Sequence, residues 1–555
     1  MRTEASLPLS LTSKVDMRSP GEEFMKISKE KHLNNAGKLS VGVIIAMAAV
    51  AVVALIFIAG GGFSKTVHKT FDSPKKYFSY VEKQAILGKK DSSVLSRVND
   101  ASEFYTNTDR YLKEEITLTV GEKGESYLRL LKETGVDLSW LTSAGIAYTV
   151  NSKDNNLEVK STITLNEKEI ISPEVILDSQ KKAIYAKIPE LAKDYAKYDL
   201  EEYGEKFDEF LEMAEKMKAA YPDSKDMKKL LTKYVKLVLD NVENVERTRG
   251  AVLECEEVSQ KCTLLTVTLK EEDFLKILKA VCSEAVKDEN LKKIYMDFGQ
   301  AAGQDEDDVE KSYDEMIEEL EKMSDVEELH LRMEKLVIEL YVDGDGKIVG
   351  RVYNFVDEDG DKTSVKLATA TKGSKAGFEL SVKNDETTAK MAGTGKLSGG
   401  KVTGDYALKV NGEKILTLSV EKFDLSAFEK GNLKGHFTCQ FEGDEGLGLL
   451  PRTLQRYTST FSALSPGFDL ICDITDKKHE IDLGVLTNEE ELFRIKLKGS
   501  IKSGTKVKIP GKAVDVTDQS DLKDFLEGMN WDKVLDALES ADVPKSYREM
   551  LNRFQ

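Results

Sequence analysis

The sequence predicts an α+β fold, in which one N-terminal transmembrane helix precedes a large antiparallel, curved β-sheet ectodomain with packed helices. Three observations carry this. A charge-free run, LSVGVIIAMAAVAVVALIFIAGGGFS, fills residues 39–64 between Lys38 and Lys65. After it, helix-period and strand-period segments fall in separate blocks rather than alternating, the pattern of antiparallel α+β architecture. In the second half, turn signals such as DGDG, DEDGD, KNDE and VNGE recur about every 8–12 residues, a spacing that suits a meander.

The charge-free run is long enough to span a bilayer, because about 20 apolar residues at about 1.5 Å rise cross a hydrocarbon core of about 30 Å. A soluble helix of this length would carry a polar face. A cleaved signal peptide is the rival reading, with Ala59-Gly60-Gly61 as small residues for a peptidase, but its apolar stretch is normally about 7–15 residues. No Cys follows the run, so the bacterial lipobox pattern is excluded. Lys26, Lys29, Lys31 and Lys38 before the run balance Lys65, Lys69, Lys75 and Lys76 after it. Large domains translocate largely regardless of nearby charge, and short basic tails stay inside. The expected division is therefore a cytoplasmic tail at 1–38, a retained signal-anchor helix at 39–63, juxtamembrane helices at 64–110 and an extracytoplasmic α+β domain at 111–555. An internal boundary is expected near 304–334, at the acidic run QDEDDVE, and Met25 offers a second start.

Ser73 and Pro74 open the first helix after the span as cap and first-turn residue, with Tyr77, Phe78 and Val81 on one face. A second helix is expected from Asp91, with Val94, Leu95, Val98, Ala101 and Tyr105. Strands follow at EITLTVG, GIAYTVNS, NLEVKSTITL, EIISPEVILD and KAIYAKI. The middle is helical, through Phe207–Met217 spacing, Leu230–Val238 spacing, residues 271–286 and Val309–Met323 spacing. Strands resume from Lys335 to Glu442 and again at FDLICDIT, HEIDLGVLT and LFRIKLKGSI. Three C-terminal apolar faces close the chain: Leu522, Phe525, Leu526 and Met529; Trp531, Val534, Leu535 and Leu538; Tyr547, Met550, Leu551 and Phe554.

The tail and span hold seven Lys/Arg against five Asp/Glu, so the net charge of −18 becomes −20 for the rest. That field repels nucleic acid and anionic head groups. Five cysteines are too few for a disulfide scaffold. Cys255 and Cys262 flank EEVSQK between two strand runs, and a turn centred on Val258-Ser259 would set them opposite each other as a candidate disulfide. Cys439 and Cys472 lie in two further strand runs and could pair, whereas Cys282 shares an apolar helix face with Phe274, Leu278, Val281 and Ala285.

Catalytic and metal motifs fail on inspection. Aligning Gly346 to the invariant glycine of an EF-hand puts Tyr341 and Val352 where oxygen ligands are required, and aligning Asp357, Asp359 and Asp361 puts Lys362 at the glycine. These Asp-Gly segments read as hairpin turns. Ser179-Gln180-Lys181-Lys182 and Lys502-Ser503-Gly504 mimic pieces of a serine acyl-enzyme signature, yet Ser179 falls in a turn and not at a helix start. None of His32, His68, His330, His436 and His479 is spaced as a metal ligand, and no HExxH occurs. His436 and Cys439 are three apart in one strand, so their side chains diverge. No catalytic, cofactor-binding or metal residue is therefore assigned, and no cofactor is expected.

The segments KKAIYAKIPELAKDY (181–195), CTLLTVTL (262–269) and AVDVTDQSDLKDFLEGMNWDKVLDALESADVP (513–544) resemble those of a family of uncharacterised single-pass, membrane-anchored surface proteins of Gram-positive anaerobes. The resemblance covers roughly residues 66–555 and carries no catalytic residue. The architecture also resembles the LolA-like lipoprotein-carrier folds, in which a curved sheet wraps helices around a hydrophobic cavity. That likeness implies a non-catalytic protein that binds a lipid, a lipoprotein or an envelope partner. It requires strand positions on one face that are continuously apolar and not filled by helices. A passive structural or sensory ectodomain requires no cavity. A carboxylate-based cell-wall hydrolase requires an open cleft with two acids about 5–10 Å apart.

Overall fold

The computed structural model describes residues 73–87, 109–132, 137–200, 204–222, 224–324, 333–442 and 466–551. The span predicted at 39–63, the tail before it, the helix predicted from Asp91 and Phe554 lie outside them. Among the described residues no helix is long and apolar enough to cross a membrane.

The chain opens with α1 (Pro74–Leu87), where the Tyr77 N–H donates to the Ser73 carbonyl at 3.1 Å in the expected first turn. It continues through β1 (Arg110–Val120), α2 (Glu122–Leu131), β2 (Ser143–Lys153), β3 (Asn156–Leu165), β4 (Lys168–Ile171), β5 (Glu174–Asp178), β6 (Ala183–Lys187) and β7 (Tyr195–Asp199). The single strand expected at EIISPEVILD is two, because Pro173 has no N–H to give a ladder and parts β4 from β5. The helical block is α3 (Gly204–Ala220) and α4 (Ser224–Asn241), then the hairpin β8 (Val245–Cys255) and β9 (Val258–Lys270), then α5 (Glu271–Ala285), α6 (Glu289–Ala301) and α7 (Glu306–Ser324). The Asp288 carboxylate caps α6 by accepting from the N–H groups of Asn290 and Leu291.

The long meander runs β10 (Met333–Val342), β11 (Ile348–Asp357), β12 (Lys362–Lys372), β13 (Lys375–Lys383), β14 (Thr388–Ser398), β15 (Lys401–Val410) and β16 (Glu413–Asp424). After the short α8 (Leu425–Glu429) come β17 (Leu433–Phe441), β18 (Pro466–Ile474), β19 (Lys478–Thr487) and β20 (Glu490–Ser503). The chain ends in β21 (Ala513–Asp515), α9 (Gln519–Glu527), α10 (Asp532–Ser540) and α11 (Lys545–Leu551).

All 21 strands of the described residues join one sheet. Its order by pairing is β21-β7-β6-β5-β3-β2-β1-β20, followed by β19 down to β8 in descending succession, with β4 beside β3. Every described ladder is antiparallel except β7–β21. The expected boundary near 304–334 does not divide the sheet, because β9 and β10 on either side of it pair along their lengths.

Helices cover the sheet at its ends. At one end α1, α4, α5 and α7 bury Phe78, Val238, Leu278 and Tyr313 against Leu265, Val267, Ile338 and Leu340 of β9 and β10. Cys282 is buried in that cluster, as its helix face implied. There too, Glu82 of α1 meets Arg351 of β11 in a two-pronged pair at 2.8 and 2.9 Å, with both side chains out of water. At the other end Val534, Leu538, Ala541 and Val543 pack on Ile170 and Leu191, with Trp140, Trp531 and Tyr547 partly buried beside them. The C-terminal docking expected for Val534 and Leu538 is thus present. The first face differs, because Leu522 and Leu526 of α9 point into solvent.

The cysteine hairpin is a correction. Its turn is Glu256-Glu257, two residues before the expected centre, so Cys255 stands opposite Val258 and Cys262 opposite Ala251. Four residues of ladder separate the two cysteines, about 13 Å at about 3.3 Å per residue, far outside disulfide reach. Both are free and buried, packed with Leu253 and Val258 over Ala368 and Ala370 of β12. Cys439 and Cys472 are free as well, opposite Phe468 and Gly435 respectively.

Candidate functional site

The two faces of the meander differ in chemistry. Strand side chains alternate sides, and directly paired residues share a side, so the register assigns each position to a face. One face carries Phe378, Leu380 and Val382 of β13, Met391 and Leu397 of β14, and Tyr406 and Leu408 of β15. It continues with Leu416, Leu418 and Val420 of β16, Phe437, Cys439 and Phe441 of β17, and Phe468, Leu470 and Cys472 of β18. From β13 to β18 every register position on this face is apolar or glycine, apart from Glu413 beside the Asn411-Gly412 turn. Ile481, Leu483 and Val485 of β19, Ile495 and Leu497 of β20, and Ile116 and Leu118 of β1 extend it. Ile146 of β2 and Ile163 of β3 extend it further.

No core cluster among the described residues includes a side chain from β13–β19. The face is covered unevenly: Ala376, Val402, Val420 and Cys472 are buried, while most of its other side chains are only partly covered. Leu380 and Val382 are 42% and 45% exposed, and Ile146 is 38% exposed. Aromatic rings run along it: Phe378 and Tyr406 meet edge-on at 6.1 Å, Phe423 and Phe437 at 5.7 Å, and Phe441 and Phe468 at 6.0 Å. Gly393 makes the first contact feasible, since a Cβ there would stand 2.7 Å from the Tyr406 ring.

The opposite face is charged and internally paired. His436 of β17 contacts Asp469 of β18 at 2.5 Å, and Arg494 of β20 reaches Asp469 at 3.2 Å and Asp482 of β19 at 2.6 Å. The hydrogen bond to Asp469 is the largest influence on the imidazole and raises its pKa above the usual histidine value. Burial works against the charge of Asp469, but His436 and Arg494 outweigh it and hold the carboxyl below its usual range. Asp469 and Asp482 share one guanidinium, so this acid pair is tied in ion pairs and is not a free acid–base couple. A cleft of 310 Å³ among α3, α4 and α6 is likewise lined by pairs, Lys229–Asp226 at 2.7 Å and Lys233–Asp288 at 2.8 Å.

The residues singled out from sequence fall as follows. His436 lies on the charged face and Cys439 on the apolar one, as expected from their spacing. Gly346 and Gly360 take positive φ in their Asp-Gly turns, at +82° and +89°. Ser179 sits in the β5–β6 turn, where its hydroxyl donates to the Asn156 side-chain oxygen at 3.1 Å. Burial pushes the Cys255 and Cys262 thiols up to about 11, so neither is poised as a nucleophile. Among the described residues no group of three His, Cys, Asp or Glu could hold a metal ion. The Glu82–Arg351 and Glu114–His479 pairs were missed, because their partners lie hundreds of residues apart with no local signal.

Together these features define an α+β protein with one antiparallel sheet, apolar on one face and charged on the other. The chain matches no protein-family model and no curated protein.

Proposed function

We propose that this is a membrane-anchored, extracytoplasmic protein that binds the apolar chain of a lipid along the bare face of its sheet and performs no chemistry on it. The observation that carries this reading is the continuous apolar face of β13–β18, over which only the one-turn helix α8 packs among the described residues, its Phe428 ring 5.4 Å from Phe423. A contiguous apolar face with Leu380 and Val382 open to solvent suits a binding surface. A lipid chain fits it better than a nucleic acid or an anionic polymer, because the chain carries a net charge of −18. The span predicted at 39–63 supports the location, since it would hold the sheet beside a source of lipid.

Saturable binding of methyl oleate to the full-length protein tests this, alongside Ile146→Gln/Leu380→Gln/Val382→Gln. All three side chains are already exposed, so the variant should keep its thermal midpoint. Affinity should fall at least tenfold, about 1.4 kcal/mol, which is less than the value of burying one such side chain. Absence of saturable binding in the wild type, or equal affinity in the variant, refutes the reading.

A further inference from the structure

The apolar face carries polar side chains where it extends beyond β18. Glu114 of β1 projects from it with its side chain nine-tenths buried, and its carboxylate meets the imidazole of His479 of β19 at 2.8 Å. The strand between them is β20, and its residue at that level is Gly499, paired with both Glu114 and His479. A Cβ at Gly499 would collide with the carboxylate and the ring, so the pair depends on the glycine. On the other side of Glu114 stands Tyr148 of β2, directly opposite in the ladder, and then Ser161 of β3. A polar row thus crosses five strands at one level of an otherwise apolar surface.

The row is not internally satisfied. Glu114 and His479 hydrogen-bond only to each other among the described residues, which leaves the second carboxylate oxygen and the second ring nitrogen open. The Tyr148 hydroxyl has no partner among them. These open atoms still reach solvent, so a ligand that supplies matching hydrogen bonds can take the place of water there. Apolar side chains flank it along the strands. Beyond it, an apolar strip begins at Ile116, Leu497 and Ile481 and ends at Val120 and Phe493. From Glu114 the strand runs six residues to Val120, about 20 Å at about 3.4 Å per residue. That matches the length of an extended long acyl chain, its far end reaching the buried Val120 beside α2.

We propose that the Glu114–His479–Tyr148 row is the head-group subsite of this face and takes the uncharged, hydroxyl-bearing head of a single-chain lipid of the monoacylglycerol type. The carboxylate needs a donor, while the phenol and the imidazole each offer both roles. A hydroxyl head donates and accepts, and so completes all three. An anionic head would face Glu114 in a chain already of net charge −18. This inference rests on the chain-binding reading above.

The test titrates full-length protein in amphipol with 1-monooleoylglycerol and with methyl oleate, which share a chain but not the hydroxyl head. The wild type should prefer the glycerol ester by about tenfold, the factor that one hydrogen bond to a charged group carries. Glu114→Leu and Tyr148→Phe should each reduce that preference while leaving methyl oleate affinity within about twofold. Tyr148→Phe keeps the ring, so it decides the matter even if Glu114→Leu fails to fold. Equal wild-type affinities for the two ligands, or a preference unchanged in Tyr148→Phe, overturn the subsite and leave the chain-binding reading standing. Failure of both ligands to bind overturns both.

Discussion

The pair Glu82–Arg351 fastens the first described helix to the body of the sheet, and its removal should be costly in a diagnostic way. Glu82 is 0% and Arg351 3% exposed, and their two contacts are 2.8 and 2.9 Å. Burial lowers the affinity of the guanidinium for its proton, but the Glu82 carboxylate outweighs this and keeps Arg351 charged. Arg351→Met would strand a carboxylate in the core, and Glu82→Leu would strand a guanidinium. Each single change should cost about 3–5 kcal/mol, whereas removing both charges together should be nearly neutral or stabilising by about 1–4 kcal/mol. Against a usual margin of about 5–15 kcal/mol, the singles lose a large share of stability. Urea unfolding followed by far-ultraviolet circular dichroism measures this, with tryptophan fluorescence as a second probe. Both tryptophans, Trp140 and Trp531, lie in the cluster at the other end, so coincident curves also show whether the whole sheet unfolds as one unit. A double variant as unstable as the sum of the singles would refute the assignment of the cost to an orphaned charge.

Two further outcomes follow from the register and the charged face. Denaturing alkylation without reductant should label all five cysteines, while native protein should leave Cys255 and Cys262 unlabelled, because both thiols are buried with pKa values of about 11; a mapped Cys255–Cys262 linkage would contradict the ladder. The raised pKa of His436 makes its bond to Asp469 stabilising below the ordinary histidine value near 6.5, with that contribution lost as pH rises through the folded value. The depressed Asp469 pKa makes its contribution present above the ordinary value near 3.8 and lost on acidification through the folded value. Denaturation midpoints at pH 6 and pH 9 should therefore differ less in His436→Gln than in the wild type, and an unchanged difference would assign the pH dependence elsewhere.

Much of the fold was legible because it is local. The meander announced itself through alternation and Asp-Gly or Asn-Gly turns, and the helices of the middle block through apolar positions at helical spacing. What escaped was set by single residues or by distance. Pro173 divided a strand that hydropathy joined. The turn at Glu256-Glu257 has no glycine, and Glu256 itself adopts a φ of +52°, so nothing in the composition marked it and the cysteine register was read two residues late. The helix α6 went unrecognised although Leu291, Ile294, Tyr295 and Phe298 recur at helical spacing, and α2 because its apolar residues crowd its last turn. The apolar face was implicit in the alternation of each strand. That these alternations fall on one side depends on ladder pairings, above all β1 with β20, that no local pattern encodes.

That β1–β20 ladder has a consequence for how the chain must be made. Arg110 lies opposite Ser503, and the ladder continues to Val120 opposite Phe493. The strand emerging early from the ribosome thus waits for a partner translated near the end. Until then β1 and β2 can pair with each other, but the outer edge of β1 stays bare. Closing so long a loop costs little more than closing a moderate one, since the penalty grows only with the logarithm of length, yet it delays the event and slows folding. A chain that stops before residue 490 loses β20 and the short β21 but keeps β1–β7 and β8–β19, and still cannot join them. Each half would carry an open strand edge beside an apolar face, the combination most prone to edge-to-edge association. Termination before residue 490 is therefore expected to harm this protein more than an equal loss at a sheet end, because it removes the seam that makes two sheets into one.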